Sequence, residues 1–144
     1  MGRVIELLNG DILREFQTAD ACLREVNCLS GKDYPVLRRQ IAMSAAAALR
    51  NATSLAGEVL ALGGIPIVPC RPKPQARPAS ITAGWYPGTS HEMLAHYRRR
   101  LRMAERLGLW RLQEVFEEIL TSKERHLAHI GLVRNRGPAS GYTC

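Results

Sequence analysis

Prolines divide this sequence into two parts that are themselves poor in proline. Six of the eight prolines lie between Pro66 and Pro87, and proline removes a backbone donor and clashes inside a helix. We therefore expect an extended, polyproline-like connection here, with Gly63-Gly64 ending the element before it. At ~3.1 Å per residue it reaches roughly 65 Å, more than the roughly 42 Å of a ~28-residue helix. A flexible linker is the alternative interpretation.

The two proline-poor parts carry apolar residues at helical spacing, which predicts helices over residues 3–29, 35–62, 90–107 and 109–133. The stripe of the first helix is Ile5, Leu8, Ile12, Glu15, Ala19, Cys22 and Val26. Two helices, a crossover over about 63–89 and two more helices predict an all-α four-helix bundle of two antiparallel hairpins. We expect one domain over residues 1–133 and a tail over 134–144.

Charge and cysteine usage restrict the partners and the compartment. The net charge of +7 and the pI near 9.7 favour an acidic partner, for which nucleic acid, anionic lipid and protein all qualify. The four cysteines have no C-x-x-C spacing, and no apolar run is long enough to span a membrane. The N-terminus lacks the apolar core of a signal peptide. We expect a cytoplasmic protein with reduced thiols and no membrane contact.

Several short motifs resemble those of the bacterioferritins, in the same order and at similar spacing over residues 3–132. Leu8-Asn9 and Glu15-Phe16-Gln17-Thr18-Ala19 are similar to the family's L-N…E-L-T-A, and Leu60–Pro66 resembles L-x-L-E-G-x-P. Tyr97-Arg98, Gly108 and Glu117-Glu118-Ile119-Leu120 are similar to Y-R-E, a turn glycine and E-E-I-L. The resemblance implies a ferritin-like bundle.

The family's di-iron centre takes one glutamate from each of two helices and Glu-x-x-His from each of the other two. The resemblance places these six ligand positions on Glu15, Ala48, Asn51, Ser90, Lys123 and His126. Only Glu15 and His126 keep a ligand of the expected type, so we expect ferroxidase activity to be lost or weakened. His91 and Glu92 stand beside Ser90 as further candidate ligands for iron. Leu49 falls where the family has its haem-binding methionine, so haem is not expected.

Lys123 constrains the interior without any reference to a family. It lies on the apolar stripe of the last helix, where an unpaired ammonium is costly to bury, and Glu15 interrupts the stripe of the first. We predict that Lys123 pairs with Glu15 in place of a metal pair, and that His126 is a hydrogen-bonded core histidine. The alternatives are that Lys123 extends to water, or that Glu15, His126 and Glu92 or His91 bind a metal.

The predicted function is therefore that of a bacterioferritin-like subunit in iron storage or iron homeostasis, acting beside an active partner subunit. A dimer or larger homo-oligomer packing the first two helices of each subunit is expected from the resemblance. One alternative is a scaffold or protein-binding module that holds no metal. Another is a nucleic-acid-binding protein of the Dps type, in which Arg98, Arg99 and Arg102 bind phosphate.

Overall fold

The computed structural model describes residues 1–29, 35–69 and 91–134, and in this part of the chain the regular structure is entirely α-helical. Helix α1 spans Gly2–Cys28, α2 spans Pro35–Ala61, α3 spans His91–Arg106 and α4 spans Trp110–Arg134. The predicted all-α class with four helices is confirmed. Ser90, the crossover beyond residue 69 and the tail after residue 134 lie outside the described residues.

The helices pack as two hairpins that meet through α2 and α4. Helix α1 packs against α2, α3 packs against α4, and α2 packs against α4. Helices α1 and α3 stand further apart, since no described Cα atom of one lies within 8 Å of the other. The space between α1 and α3 is spanned by long polar side chains, which is where the candidate site lies.

The stripes read from the sequence face the interior. On α1 the buried apolar positions include Leu8, Ile12, Ala19 and Cys22. Helix α2 contributes mainly small residues, which allow the backbones of α1 and α2 to approach closely: Ser44, Ala45, Ala47, Ala48 and Ala52 are buried. Among the described residues, Tyr97 and Phe116 are the largest fully buried side chains, and both belong to the main apolar core.

Helices α2 and α3 each end at a glycine, as the sequence predicts. Gly63 has φ 80° and Gly108 has φ 66°, a left-handed conformation that glycine adopts without a Cβ penalty. After α2 the Gly64 N–H donates to the Val59 carbonyl at 2.9 Å, and after α3 the Leu109 N–H donates to the Ala104 carbonyl at 3.0 Å. Both arrangements are Schellman motifs, which satisfy carbonyls that the helix end would otherwise leave unpaired.

Asn9 fixes the direction in which the chain leaves α2. Its side-chain amide donates to the Ile65 carbonyl at 3.1 Å, and its Oδ1 accepts the Ile67 N–H at 2.9 Å. Gly64 allows the close approach, because a Cβ placed there would lie 2.7 Å from Ile5 Cγ2. The extended segment after α2 is therefore held against α1 by a side chain that the sequence analysis noted only as part of a motif.

Two further expectations concern membranes and thiols. No helix in the described ranges combines the length and the apolar character that crossing a bilayer requires. Cys22 is a free, buried cysteine, whereas Cys28 at the end of α1 is disulfide-bonded. The prediction of reduced thiols is therefore wrong for Cys28, because the sequence spacing alone contained no signal for this bond.

Candidate functional site

A buried carboxylate, Glu15, is the centre of a polar network to which each helix contributes one side chain. Glu15 is fully buried on α1, and Lys123 Nζ on α4 lies 3.1 Å from its Oε1 and 3.3 Å from its Oε2. Asn51 on α2 donates to Oε2 at 3.4 Å, and the Tyr97 hydroxyl on α3 donates to Oε1. The predicted pairing of Lys123 with Glu15 is confirmed.

Burial of Lys123 decides between the two interpretations of its position. Only 3% of the residue is exposed, so the ammonium does not extend to water. A buried charge is tolerated when an opposite charge and hydrogen bonds replace its hydration. Glu15 supplies that charge, and the Tyr97 ring, whose centroid is 5.5 Å from Nζ, adds a cation–π contact.

Tyr97 serves the network as a neutral donor. Burial raises the pKa of Tyr97 far above its ordinary value, and the nearby negative charge of Glu15 and the hydrogen bond to it raise it further. The phenol therefore keeps its proton, and its O–H donates a hydrogen bond to the carboxylate. Its ring also packs against Phe116, with the ring centroids 6.0 Å apart, which couples the polar network to the apolar core.

A second polar cluster lies one turn before Glu15 and also joins α1 to α3. Asp11 is 1% exposed, and His96 Nε2 lies 2.7 Å from its Oδ1. Arg100 Nε donates to Asp11 Oδ2 at 2.7 Å, and its NH2 donates to Oδ1 at 3.4 Å. Because a carboxylate only accepts, the Nε2 of His96 carries the hydrogen in this contact.

The sequence analysis did not identify Asp11, His96 or Arg100. A usable signal was present, since Asp11 and Glu15 are four residues apart on α1 and His96 and Arg100 are four apart on α3. Residues at that spacing share one face of a helix. Two carboxylates on one face, with a histidine and an arginine that can donate hydrogen bonds on another, predict facing helices, provided that the pairing of α1 with α3 is already known.

The structure does not bring the four candidate iron ligands together. Among the described residues no three His, Cys, Asp or Glu side chains form a group that suits a metal ion. Glu15 is already paired with Lys123, while His91 and Glu92 are exposed in the first turn of α3. His126 is buried, but in the described ranges its side chain has no hydrogen bond, contrary to the prediction of a hydrogen-bonded core histidine.

Charges around His126 explain which form of this residue the site favours. Burial lowers the pKa of His126, and the positive charge of Lys123 lowers it further, followed by smaller effects of His129, Arg125 and Arg50. The neutral imidazole is therefore stabilised beside the ammonium. A neutral imidazole is also the metal-binding form, but in the described part of the chain it belongs to no group of three His, Cys, Asp or Glu side chains that suits a metal ion.

The replaced ligand positions are distributed between the interior and the surface. Ala48 is 1% exposed and contributes only a methyl group, whereas Asn51 hydrogen-bonds to Glu15. Leu49, at the haem-binding position of the resemblance, is 42% exposed. An exposed leucine on the outer face of α2 offers neither a ligand nor an enclosed pocket for haem.

Buried polar groups continue from Glu15 toward the end of α1. Cys22 is fully buried, and burial raises its pKa to about 12 despite an opposing effect of Lys123. Glu25 is 4% exposed, and its Oε2 has no hydrogen-bond partner within the described residues. Burial raises the pKa of Glu25, which favours its protonated form.

The three arginines proposed to bind phosphate have different surroundings on α3. Arg98 donates to Glu124 of α4 at 3.1 Å, in an exposed ion pair. Arg99 and Arg102 are also exposed, and neither forms an ion pair within the ranges described here. Only Arg99 and Arg102 of this group are therefore available to an external anion without breaking a contact.

The buried network is closed to solvent, and this determines what it can do chemically. Glu15, Tyr97 and Lys123 are 0–3% exposed, so no substrate reaches them without separation of the helices. Every oxygen of Glu15 already accepts a hydrogen bond. The arrangement suits a structural link between four helices.

Comparison of this chain with protein-family models, with curated proteins and with solved structures gives no match.

Proposed function

We propose that this chain is a non-catalytic, ferritin-like helical subunit whose interior is held by an ion pair where a bacterioferritin holds its di-iron centre. The observation that carries the proposal is the contact of Lys123 with Glu15. Among the six ligand positions of the resemblance, Glu15 is the one that keeps its carboxylate, and the ammonium neutralises it. The four-helix arrangement and the contacts of Asn51 on α2 and Lys123 on α4 with Glu15 support the same proposal.

Electrostatics explain why the ion pair and an iron pair exclude each other. A di-iron centre needs several carboxylates to offset the charge of two cations. Here Glu15 faces an ammonium at 3.1 Å, and the position that would supply a second carboxylate is Ala48. A cation entering this site would lie next to Lys123 in a medium of low dielectric constant, where like charges repel strongly.

A role in iron storage would then come from assembly. Helix α2 exposes four large apolar side chains: Val36 at 59%, Met43 at 48%, Leu49 at 42% and Leu60 at 63%. In this proposal these side chains supply the apolar area that is buried on assembly. In this proposal a second copy of the chain packs on α2, and an active ferritin-like subunit supplies iron oxidation within the same assembly.

The test is ferrous iron binding and oxygen consumption by the metal-stripped protein. We expect no stoichiometric uptake and no iron-dependent oxygen consumption. Uptake of about two irons per chain with oxidation, abolished in Glu15→Ala, would overturn the proposal. The matched control is Glu114→Gln/Glu117→Gln/Glu118→Gln, because it removes exposed carboxylates of α4 to which ferrous iron would adhere unspecifically and leaves Glu15 unchanged.

A further inference from the structure

The exposed face of α3 carries charges in an ordered sequence of signs. Five arginines and two glutamates stand among its sixteen residues. Glu92, Arg99 and Arg102 are exposed, and their spacing of seven and three residues places them on one face of the helix. Along this face, which we name the α3 stripe, a negative charge near the start of the helix is followed by two positive charges.

The exposed face of α4 also carries charges in an ordered sequence, with three negative residues followed by a positive one. A shallow groove on α4 is lined by Glu114, Glu117, Glu118 and Arg125, together with Thr121 and Ser122. These four charged residues, which we name the α4 stripe, are exposed. Within residues 1–29, 35–69 and 91–134, no member of either stripe forms a salt bridge.

The two stripes can be compared level by level, because α3 and α4 are antiparallel neighbours joined by a short turn. The Gln113 side chain donates to the Ala104 carbonyl at 3.4 Å, so residue 113 lies near the level of residue 104. With equal rise along both helices, Arg102 lies near the level of Glu114, and Arg99 near that of Glu117 and Glu118. By the same relation Glu92 lies near the level of Arg125.

At each of these levels the two stripes carry opposite charges, but both point outward and do not pair within one chain. A two-fold axis parallel to the helices, running between the stripes, would exchange left and right while preserving level. It would place the α3 stripe of one copy against the α4 stripe of the other, twice. A surface with this property is self-complementary, as an isologous dimer requires.

We propose that the α3–α4 face is an electrostatic interface between two copies of this chain. Arg99 and Arg102 of one copy lie against the acidic half of the α4 stripe of the other, and Glu92 lies against Arg125. The interface ends before the turn, because Arg106 and Arg111 share a level and have the same sign. This interface is distinct from the apolar contact proposed for α2, and the two are expected to respond differently to salt concentration.

The salt response follows from the exposure of the groups. Exposed ion pairs are weak individually and are screened at high ionic strength, whereas burial of apolar surface is not weakened by salt. We expect the dissociation constant of the α3–α4 dimer, from analytical ultracentrifugation, to rise ~tenfold or more between 50 and 500 mM NaCl. Association that is unchanged or strengthened by salt overturns the proposal.

Charge-reversed variants give the decisive test. We expect Arg99→Glu/Arg102→Glu and Glu114→Arg/Glu117→Arg each to weaken this association, because each variant places like charges across the two-fold axis. An equimolar mixture of the two variants should restore it as a heterodimer, since every reversed pair is then matched. Circular dichroism of each variant confirms that it is folded, as substitutions of exposed residues should allow.

A matched control separates the stripes from net charge. Arg3→Glu/Arg14→Glu changes the net charge by the same amount as Arg99→Glu/Arg102→Glu at exposed positions on α1, and should leave the association unchanged. Failure of the mixture to associate overturns the proposal. So does a wild-type protein that stays monomeric at 50 mM NaCl and binds a single-stranded oligonucleotide through Arg99 and Arg102, which would assign the α3 stripe to nucleic acid instead.

Discussion

Replacement of Lys123 by methionine is the most direct test of how the buried network stabilises the fold. The change keeps the length of the side chain but leaves the Glu15 carboxylate, which is fully buried, without its opposite charge. Tyr97 and Asn51 still donate to it, but neutral donors do not cancel a charge. Breaking a buried ion pair in this way costs about 3–5 kcal/mol of unfolding free energy.

The double variant Glu15→Gln/Lys123→Met supplies the comparison. Removing both charges removes the desolvation cost together with the attraction, so the double variant should differ from wild type by only about 1 kcal/mol. Glu15→Gln alone leaves a buried ammonium and should be as destabilised as Lys123→Met. The cycle therefore gives a coupling energy of several kcal/mol, well above the few tenths expected for independent sites.

Urea unfolding followed by circular dichroism measures all four proteins. Each free energy comes from linear extrapolation, with unchanged m-values as the check that the folded state is intact. A domain of this size has about 5–15 kcal/mol of stability, so the single variants are measured at low temperature. A cost below about 1 kcal/mol for Lys123→Met, or additivity of the two single changes, would refute the ion pair as the link between the helices.

Four further predictions follow from single groups. Tyr97→Phe removes one donor to a buried carboxylate and should lower the unfolding free energy by about 1.5–3 kcal/mol, measured by the same unfolding assay. Burial raises the pKa of Glu25, so the contribution of this side chain to the unfolding free energy is largest below the ordinary glutamate pKa. That contribution is lost as the pH rises through the pKa of Glu25 in the folded protein. Glu25→Gln should therefore stabilise the protein at pH 7.5 more than at pH 4. Asn9→Ala removes two hydrogen bonds to the segment after α2 and should increase proteolysis there, while costing about 1 kcal/mol. Since Cys28 is disulfide-bonded, a thiol reagent should leave Cys28 unmodified in the unfolded, unreduced protein, as mass spectrometry of the labelled peptides would show, and modification of Cys28 before reduction would contradict the bond.

The periodicity of the sequence was sufficient for the helices and for the Lys123–Glu15 contact. Apolar stripes with one charged interruption each place both charges in the core, and two opposite charges in one core must meet. Gly63 and Gly108 predicted the helix ends because their left-handed backbone is a local property. These predictions needed no knowledge of how the helices are arranged.

Other parts of the site required the arrangement itself. Asp11 lies beside the α1 stripe, so nothing in α1 alone shows that it is buried or that His96 and Arg100 reach it. Oε2 of Glu25 is buried without a hydrogen-bond partner among the described residues, although burying an unpaired polar atom is costly. The cysteine spacing in the sequence gives no signal for the disulfide bond of Cys28.

The alanine-rich interior of α2 has a consequence for how the bundle finds a single arrangement. A helix whose buried face is mostly methyl groups is nearly smooth, and it could slide along α1 or rotate at little cost in packing. The hydrogen bond from Asn51 to Glu15 opposes such movement. If α2 slid or rotated relative to α1, the Asn51 amide would lose its acceptor and the buried Glu15 carboxylate would lose a donor. The polar network therefore fixes the packing register of α2, whose buried face is otherwise nearly smooth.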